Sequence, residues 1–296
     1  MIIKYRAIYI LFSSIAIIAS VVILFIFGIK PGIDFTGGSI LEVEYKEERP
    51  ANAQISEKLK ELNLGNTVIQ MAGEKEVLIR MGDINEETHQ EILSLLREES
   101  EVEEKRFESI GPVIGKELKD KTKIVVILSL LSMIAYIAIA FNKIKKPISS
   151  WIYGIISVFA LFHDSLIPLA VFSVLGYLYG VEISIPVITA FLAVLGYSIN
   201  NTVVVFDRVR ENLIRQKGTF EEVVTESIKQ TFVRQINTSL TTLFVAFSIF
   251  FFGGETLKYF SLVLILGIFA GTYSSIFLVG PLLVFWKGLT LRSKNV

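Results

Sequence analysis

Six stretches of this chain are apolar over lengths that only a bilayer or a very deep core can absorb: residues 8–27, 124–141, 148–177, 185–206, 232–252 and 259–286. An α-helix needs about 20 apolar residues to cross the hydrocarbon of a membrane, and these runs approach or exceed that length. Hydrophobic residues make up 52% of the chain and mean hydropathy is +0.58, so the reading is a polytopic α-helical membrane protein with six transmembrane helices. The net charge is zero, which leaves no basic footprint for nucleic acid. There is no Cys and there are two His, which argues against a disulfide, a thiolate or multi-histidine metal site, and a cysteine nucleophile. No phosphate loop or nucleophile constellation is present, so neither an enzyme nor a cofactor is expected.

The fourth run carries the most informative polar residues. Gly196-Tyr-Ser-Ile-Asn-Asn-Thr-Val-Val-Val-Phe-Asp-Arg-Val-Arg-Glu-Asn212 begins apolar, passes two adjacent amides and ends charged. On a helix, Gly196, Asn200, Val204 and Asp207 form one stripe, and Ser198, Asn201, Val205 and Arg208 form the next. Polar groups inside an apolar helix are costly unless they meet a partner, so both stripes are expected to face other helices rather than lipid.

In chain order, residues 1–30 hold the first span, an uncleaved helix preceded by Lys4 and Arg6; its apolar run is longer than a signal-peptide core of about 7–15 residues. Gly32-Ile-Asp-Phe-Thr-Gly-Gly-Ser39 follows as a tight turn launching a strand, with Asp34 placed to bond local amides. Residues 31–122 form a soluble block holding most of the acidic side chains. Its strands at 39–45, 68–71, 77–81 and 102–110, with helices at 51–62 and 86–97, give the order β-α-β-β-α-β of a ferredoxin-like α+β domain. On the second helix His89, Ile92, Leu93 and Leu96 point towards the core, and His89 is read as a helix-surface or half-buried residue rather than a ligand. Residues 123–288 hold the other five spans, with an amphipathic, basic connection at 207–230 and a tail at 289–296. Gly267, Gly271 and Gly280 are spaced for close helix contact. Six spans put both termini on one side. That side also carries Lys143, Lys145, Lys146, Arg208, Arg210, Arg215, Lys217, Lys287, Arg292 and Lys294, so the positive-inside rule makes it cytoplasmic and the soluble domain external.

These residues carry a resemblance that runs in order through essentially the whole chain. Gly32-Ile-Asp-Phe-Thr-Gly-Gly38, Ser109-Ile-Gly-Pro-Val-Ile-Gly115, His163-Asp164, Gly196 to Asn212, and Ile236-Asn-Thr-Ser-Leu-Thr-Thr242 resemble the SecF protein-export membrane proteins. The resemblance implies a six-helix partner of SecD, akin in architecture to the resistance-nodulation-division transporters and lying in the inner membrane of a prokaryote. It implies association with the SecYEG channel and a translocating preprotein, and use of the proton (or sodium) gradient to pull exported chains outward. Asp34, Gly37 and Gly38, with Gly111 and Gly115, would form two hinges below the external domain.

One position departs from the family pattern, which reads Gly-Tyr-Ser-Ile-Asn-Asp-Thr-Val with the Asp as proton carrier; here the residue is Asn201. An amide hydrogen-bonds but does not exchange a proton. Three explanations stand: a natural or engineered variant with impaired coupling, a carboxylate provided by SecD, or another titratable group, for which His163-Asp164 is the leading candidate. Asp164 lies near the middle of a span, where an ionised group costs about 2.5–3.5 kcal/mol on insertion scales; its alternatives are a structural hydrogen bond or an ion-coupling role. Arg234 either snorkels to the interface or, as the resemblance suggests, turns inward to Asn201. Asp207 and Arg208 suit a surface pair near the headgroups. The ion-coupling candidates are therefore Asn200, Asn201, His163, Asp164 and Arg234. Two other functions fit the same plan: a gradient-driven exporter of small molecules or lipids, and a non-transporting scaffold of the translocon.

Overall fold

The structure, a computed structural model, describes residues 2–292 apart from 63, 66, 72, 99, 142–148 and 216–217. Lys143, Lys145, Lys146, Lys217 and Lys294, counted above for orientation, lie outside the described residues. The chain divides into a helical unit, Met1–Ile29 with Val126–Tyr179 and Pro186–Val296, and a mixed unit, Lys30–Val125 with Gly180–Ile185.

Among the described residues, five stretches of helix are long and apolar enough to cross a membrane: Ile2–Phe27, Trp151–Tyr179, Ile185–Arg215, Phe220–Phe252 and Leu257–Gly288. This is a multi-pass, membrane-type helical protein. In chain order its helices begin with α1 (Arg6–Phe27), α2 (Ile33–Thr36), α3 (Asn52–Leu59), α4 (Glu86–Arg97) and α5 (Pro112–Phe141). Then come α6 (Ser150–Tyr179), α7 (Ile185–Arg215), α8 (Phe220–Phe252), α9 (Gly254–Phe277) and α10 (Val279–Arg292). The apolar run 124–141 forms the C-terminal part of α5.

Two boundaries differ from the sequence reading. Residues 207–215 and 220–230 are not a separate connection, because α7 continues unbroken to Arg215 and α8 starts at Phe220. A capping box starts α8 early: the Thr219 hydroxyl accepts from Glu222 N–H at 3.3 Å, and Glu222 accepts from Thr219 N–H at 2.8 Å. The last apolar run is two helices broken at Leu278. Pro281 explains the break, since it has no N–H to give the carbonyl of Phe277.

Small residues set the helix spacing. A Cβ at Gly267 would sit 2.3 Å from Val194 of α7, and one at Gly280 would sit 2.5 Å from Ile228 of α8. The α9 and α10 backbones therefore approach their neighbours as closely as packing allows. On α1, by contrast, only Ser13 and Ser20 are buried within the helix; Phe12, Ile15, Ile18 and Phe25 are exposed, as on a helix that meets lipid.

In the mixed unit, β1 (Gly38–Tyr45), β2 (Val68–Met71), β3 (Glu76–Met81) and β4 (Val102–Ile110) form one antiparallel sheet in the order β2-β3-β1-β4. Alternation on β1 sends Leu41, Val43 and Tyr45 into a core with Ile55 and Leu59 of α3 and Ile92, Leu93 and Leu96 of α4. Asn85 starts α4 by accepting from Thr88 N–H at 2.9 Å. His89 lies on the core side of α4 with Ile92, Leu93 and Leu96, and is buried more fully than a half-buried residue, its ring stacked on Phe107 with centroids 3.7 Å apart.

The Gly-rich segment also differs from the turn expected. Ile33–Thr36 is one helical turn, and the chain enters β1 through Gly37 (φ 75°) and Gly38 (φ 128°), conformations that side chains disfavour. A Cβ at Gly37 would lie 2.8 Å from Pro112 Cα, and one at Gly115 would lie 2.8 Å from Gly37 N. The two segments expected to act as separate hinges are therefore packed backbone to backbone. Gly111 is looser, meeting only Asp83 at 3.6 Å. Gly37→Ala and Gly115→Ala are each expected to destabilise the full chain in detergent by more than about 1 kcal/mol in thermal unfolding. Gly111→Ala should fall within about 0.5 kcal/mol of wild type.

Candidate functional site

Asp164 is the centre of a polar seam inside the helical unit. It lies at the middle of α6 and is fully buried, as is His163 beside it. Its Oδ1 is 2.8 Å from His163 Nδ1, and its Oδ2 accepts from the Ser198 hydroxyl of α7 at 2.5 Å and the Ser274 hydroxyl of α9 at 2.7 Å. One carboxylate thus joins three helices. Gly271 makes room, since a Cβ there would lie 3.3 Å from Ser198 Cβ and 3.5 Å from Asp164 Oδ2. Pro168, inside α6, withholds the N–H that would bond the carbonyl of Asp164 and loosens the helix backbone at this residue.

The seam continues along α8 and α9. Ser275 donates to Gln235 Oε1 at 2.6 Å, and Tyr197 donates to Ser239, which lies 2.6 Å from Thr272 Oγ1. Asn201 is buried one turn from Ser198, and its Nδ2, like His163 Nε2, has no hydrogen-bond partner among the described residues.

The two stripes of α7 separate. Ser198, Asn201 and Val205 are buried, whereas Gly196, Asn200 and Asp207 are exposed, contrary to the expectation that both stripes face helices of this chain. Arg234 is also exposed, not turned inward. Asp207 and Arg208 make helix-surface pairs, Asp207 with Arg210 at 3.9 Å and Arg208 with Glu211 at 2.7 Å. His163 and Asp164 are therefore brought together, while Asn200 and Arg234 stay outside the seam.

A second polar cluster lies in the mixed unit. Asp34 does not bond local amides. Its carboxylate accepts from the N–H of Ile185, the first residue of α7, at 2.8 Å, where a negative charge meets the positive end of a helix. Residues 30–32 pair with Ile183: Ile183 N–H donates to the Lys30 carbonyl at 2.8 Å and Gly32 N–H donates to the Ile183 carbonyl at 2.9 Å. Glu182 lies 3.4 Å from Arg80 Nε, and Arg80 also bonds Gln70.

The comparisons with known proteins decide the family. Residues 91–289 match the model described as protein export membrane protein SecD/SecF, C-terminal, and residues 22–48 match the SecD/SecF GG motif. The chain belongs to the SecD/SecF family of protein-export membrane proteins. The protein translocase subunit SecF of Thermobaculum terrenum is 36% identical over 97% of this chain and 93% of its own length. That of Rhodothermus marinus is 40% identical over 92% and 88%. A crystal structure of SecDF, a translocon-associated membrane protein from Thermus thermophilus, superposes with a TM-score of 0.85 at 32% identity, covering 97% of this chain. The chain spans 38% of that SecDF polypeptide. These relatives are named as translocase subunits, a transport role.

Within this family frame, the GG motif is a packed joint, and Asp34 reaches residue 185, a distance along the chain that local pattern does not encode. Ser274, Ser275 and Gln235 were missed by the sequence reading; their small or neutral side chains look ordinary in apolar helices. Glu182 is half-buried. Burial pushes its carboxyl above the ordinary value of 4.5, while Arg80 and Lys30 pull it down and Asp34 pushes it up. A carboxyl that holds its proton more tightly folded than unfolded contributes stability that is full below 4.5 and is lost as pH rises through the folded value. Protection of the Ile183 N–H from hydrogen exchange, corrected for the intrinsic rate, should therefore rise on acidification toward that value. Glu182→Gln should flatten the profile; protection that falls in acid would mean that the Arg80 pair dominates.

Proposed function

We propose that this chain is the SecF-type subunit of the Sec export machinery. With SecD, beside SecYEG, it uses the proton (or sodium) gradient across the inner membrane to drive late translocation of a preprotein. The observation that carries this reading is the buried His163-Asp164 pair, an ionisable site inside apolar helices that is expensive to keep without a function. Membership of the SecD/SecF family supports the export role, and the SecDF neighbour supports SecD as the partner. The span that completes six is the 124–141 part of α5, which has no charged residue; it puts both termini in the cytoplasm. The β-α-β-β-α-β order and the β2-β3-β1-β4 sheet support a ferredoxin-like domain on the external side.

Gly196, Asn200 and Arg234 are polar or small yet exposed on this chain, and lipid is a poor neighbour for them. We assign that face to SecD, which would also bring a carboxylate toward Arg234. Asn201 cannot carry a proton, so the exchangeable groups in this subunit are those of the His163-Asp164 pair. Gradient energy is useful only if protonation favours one helix arrangement over the other. The movement would pass to the external domain through the packed Gly37–Gly115 joint.

Asn201 also favours a second reading, a translocon scaffold without ion chemistry. Vesicles holding this chain with SecD, SecYEG and SecA separate the two. Gradient-stimulated export and proton flux should both fall at least tenfold in Asp164→Asn, and Asn201→Asp should leave them equal or higher. Unchanged export together with absent flux in the wild type would establish the scaffold.

A further inference from the structure

Asp164 and His163 form one site, yet their environments differ in a way that divides the labour between them. Both carboxylate oxygens are engaged, Oδ1 by His163 Nδ1 and Oδ2 by two hydroxyls from two other helices. The residue is wholly enclosed, and a single added carbon at Gly271 would already touch Oδ2. Three contacts already occupy the Asp164 oxygens, and enclosure is common to both residues, so the difference between them lies in which atom lacks a partner. In His163, Nδ1 faces the carboxylate, while Nε2 is buried and has no partner among the described residues. A buried polar atom without a partner calls for an explanation.

We propose that His163 Nε2 is the atom that exchanges the coupling proton, and that Asp164 is a positioning residue that fixes the tautomer and orientation of the ring. This rests on the ion-coupling reading above and names the atom within it. The Asp164 carboxylate accepts the Nδ1 hydrogen, which leaves the lone pair of a neutral imidazole on Nε2. A proton delivered from a hydronium ion forms the Nε2–H bond and leaves water behind. The imidazolium then donates from both nitrogens, and the pair passes from one net negative charge to none. Release to water on the other side breaks the same bond and restores the lone pair. The Ser198 and Ser274 hydroxyls hold the carboxylate in place through both states.

Among the described residues, the titratable groups that hydrogen-bond or stack on the ring are Asp164 on its own helix and Tyr273 of α9, whose ring stacks with centroids 6.0 Å apart. From α1 comes the Ser13 hydroxyl, which donates to the Tyr273 oxygen at 3.5 Å. No basic side chain is among these neighbours, so the charge change falls on the pair itself.

The chain has two histidines, so His89→Gln leaves a single imidazole signal. If that variant does not fold, subtracting the spectrum of His163→Gln from that of the wild type isolates the same resonance. The probe is the full chain with ¹⁵N-labelled histidine in lipid nanodiscs, followed by NMR as pH is lowered. The expected result is Nδ1 protonated throughout and Nε2 moving from the unprotonated to the protonated position; Asp164→Asn should lose the tautomer preference and shift the midpoint. An Nε2 that carries hydrogen at every pH, or a ring that never titrates, overturns the assignment. Export in SecD- and SecYEG-containing vesicles separates this from failure of the coupling reading. Loss of gradient stimulation in His163→Gln, with a residual and pH-shifted response in Asp164→Asn, supports both. Export insensitive to both His163→Gln and Asp164→Asn, even with a ring that titrates, sinks the coupling reading and this proposal with it. Coupling abolished by Asp164→Asn but kept in His163→Gln makes the carboxylate the carrier and sinks this proposal alone.

Discussion

The Asp164 carboxylate, shared between three helices, is the interaction on which the helical unit is arranged. A carboxylate moved from water into an apolar bundle is costly, and only hydrogen bonds of good geometry offset that cost. Here they come from the neighbouring ring and from hydroxyls on α7 and α9. Each donor fixes the rotation of the helix that carries it, because turning α7 or α9 by one residue would withdraw the hydroxyl and leave an oxygen bare. Gly271 beside Ser198, and Gly267 beside Val194, are what bring the backbones close enough for such short side chains to reach.

The same constraint sorts the polar residues of α7 into two populations. Ser198 and Asn201 lie inside, and Gly196 and Asn200 lie outside, although all four belong to one short motif. A helix with polar groups on opposite sides cannot have lipid on either side at that level. One side is met by this chain's own seam; the other is the face assigned above to SecD.

Most of the architecture was legible in the sequence because the relevant signals are long or periodic. Apolar runs place the membrane helices, and alternation on β1 together with the 3.6-residue pattern on α4 places the core of the mixed unit. What escaped is short or non-local. The break at Leu278 depends on one proline, the early start of α8 on one capping box, and the Asp34 contact on a partner 151 residues away. The candidate site was half legible: His163-Asp164 is conspicuous in an apolar helix, whereas Ser274 looks like any small residue. The inward or outward aim of Arg234 and Asn200 is a property of packing, and no spacing rule separates Asn200 from Asn201.

The carboxylate and its hydroxyl donors hold the bundle together across helices. A double-mutant cycle between Asp164→Asn and Ser274→Ala, read by unfolding of the full chain in detergent, tests it most directly. Residues that share a hydrogen bond in a buried network couple by about 0.5–3 kcal/mol, and the contact at 2.7 Å between α6 and α9 puts this pair in that range. Effects of the two substitutions that simply add would contradict the account.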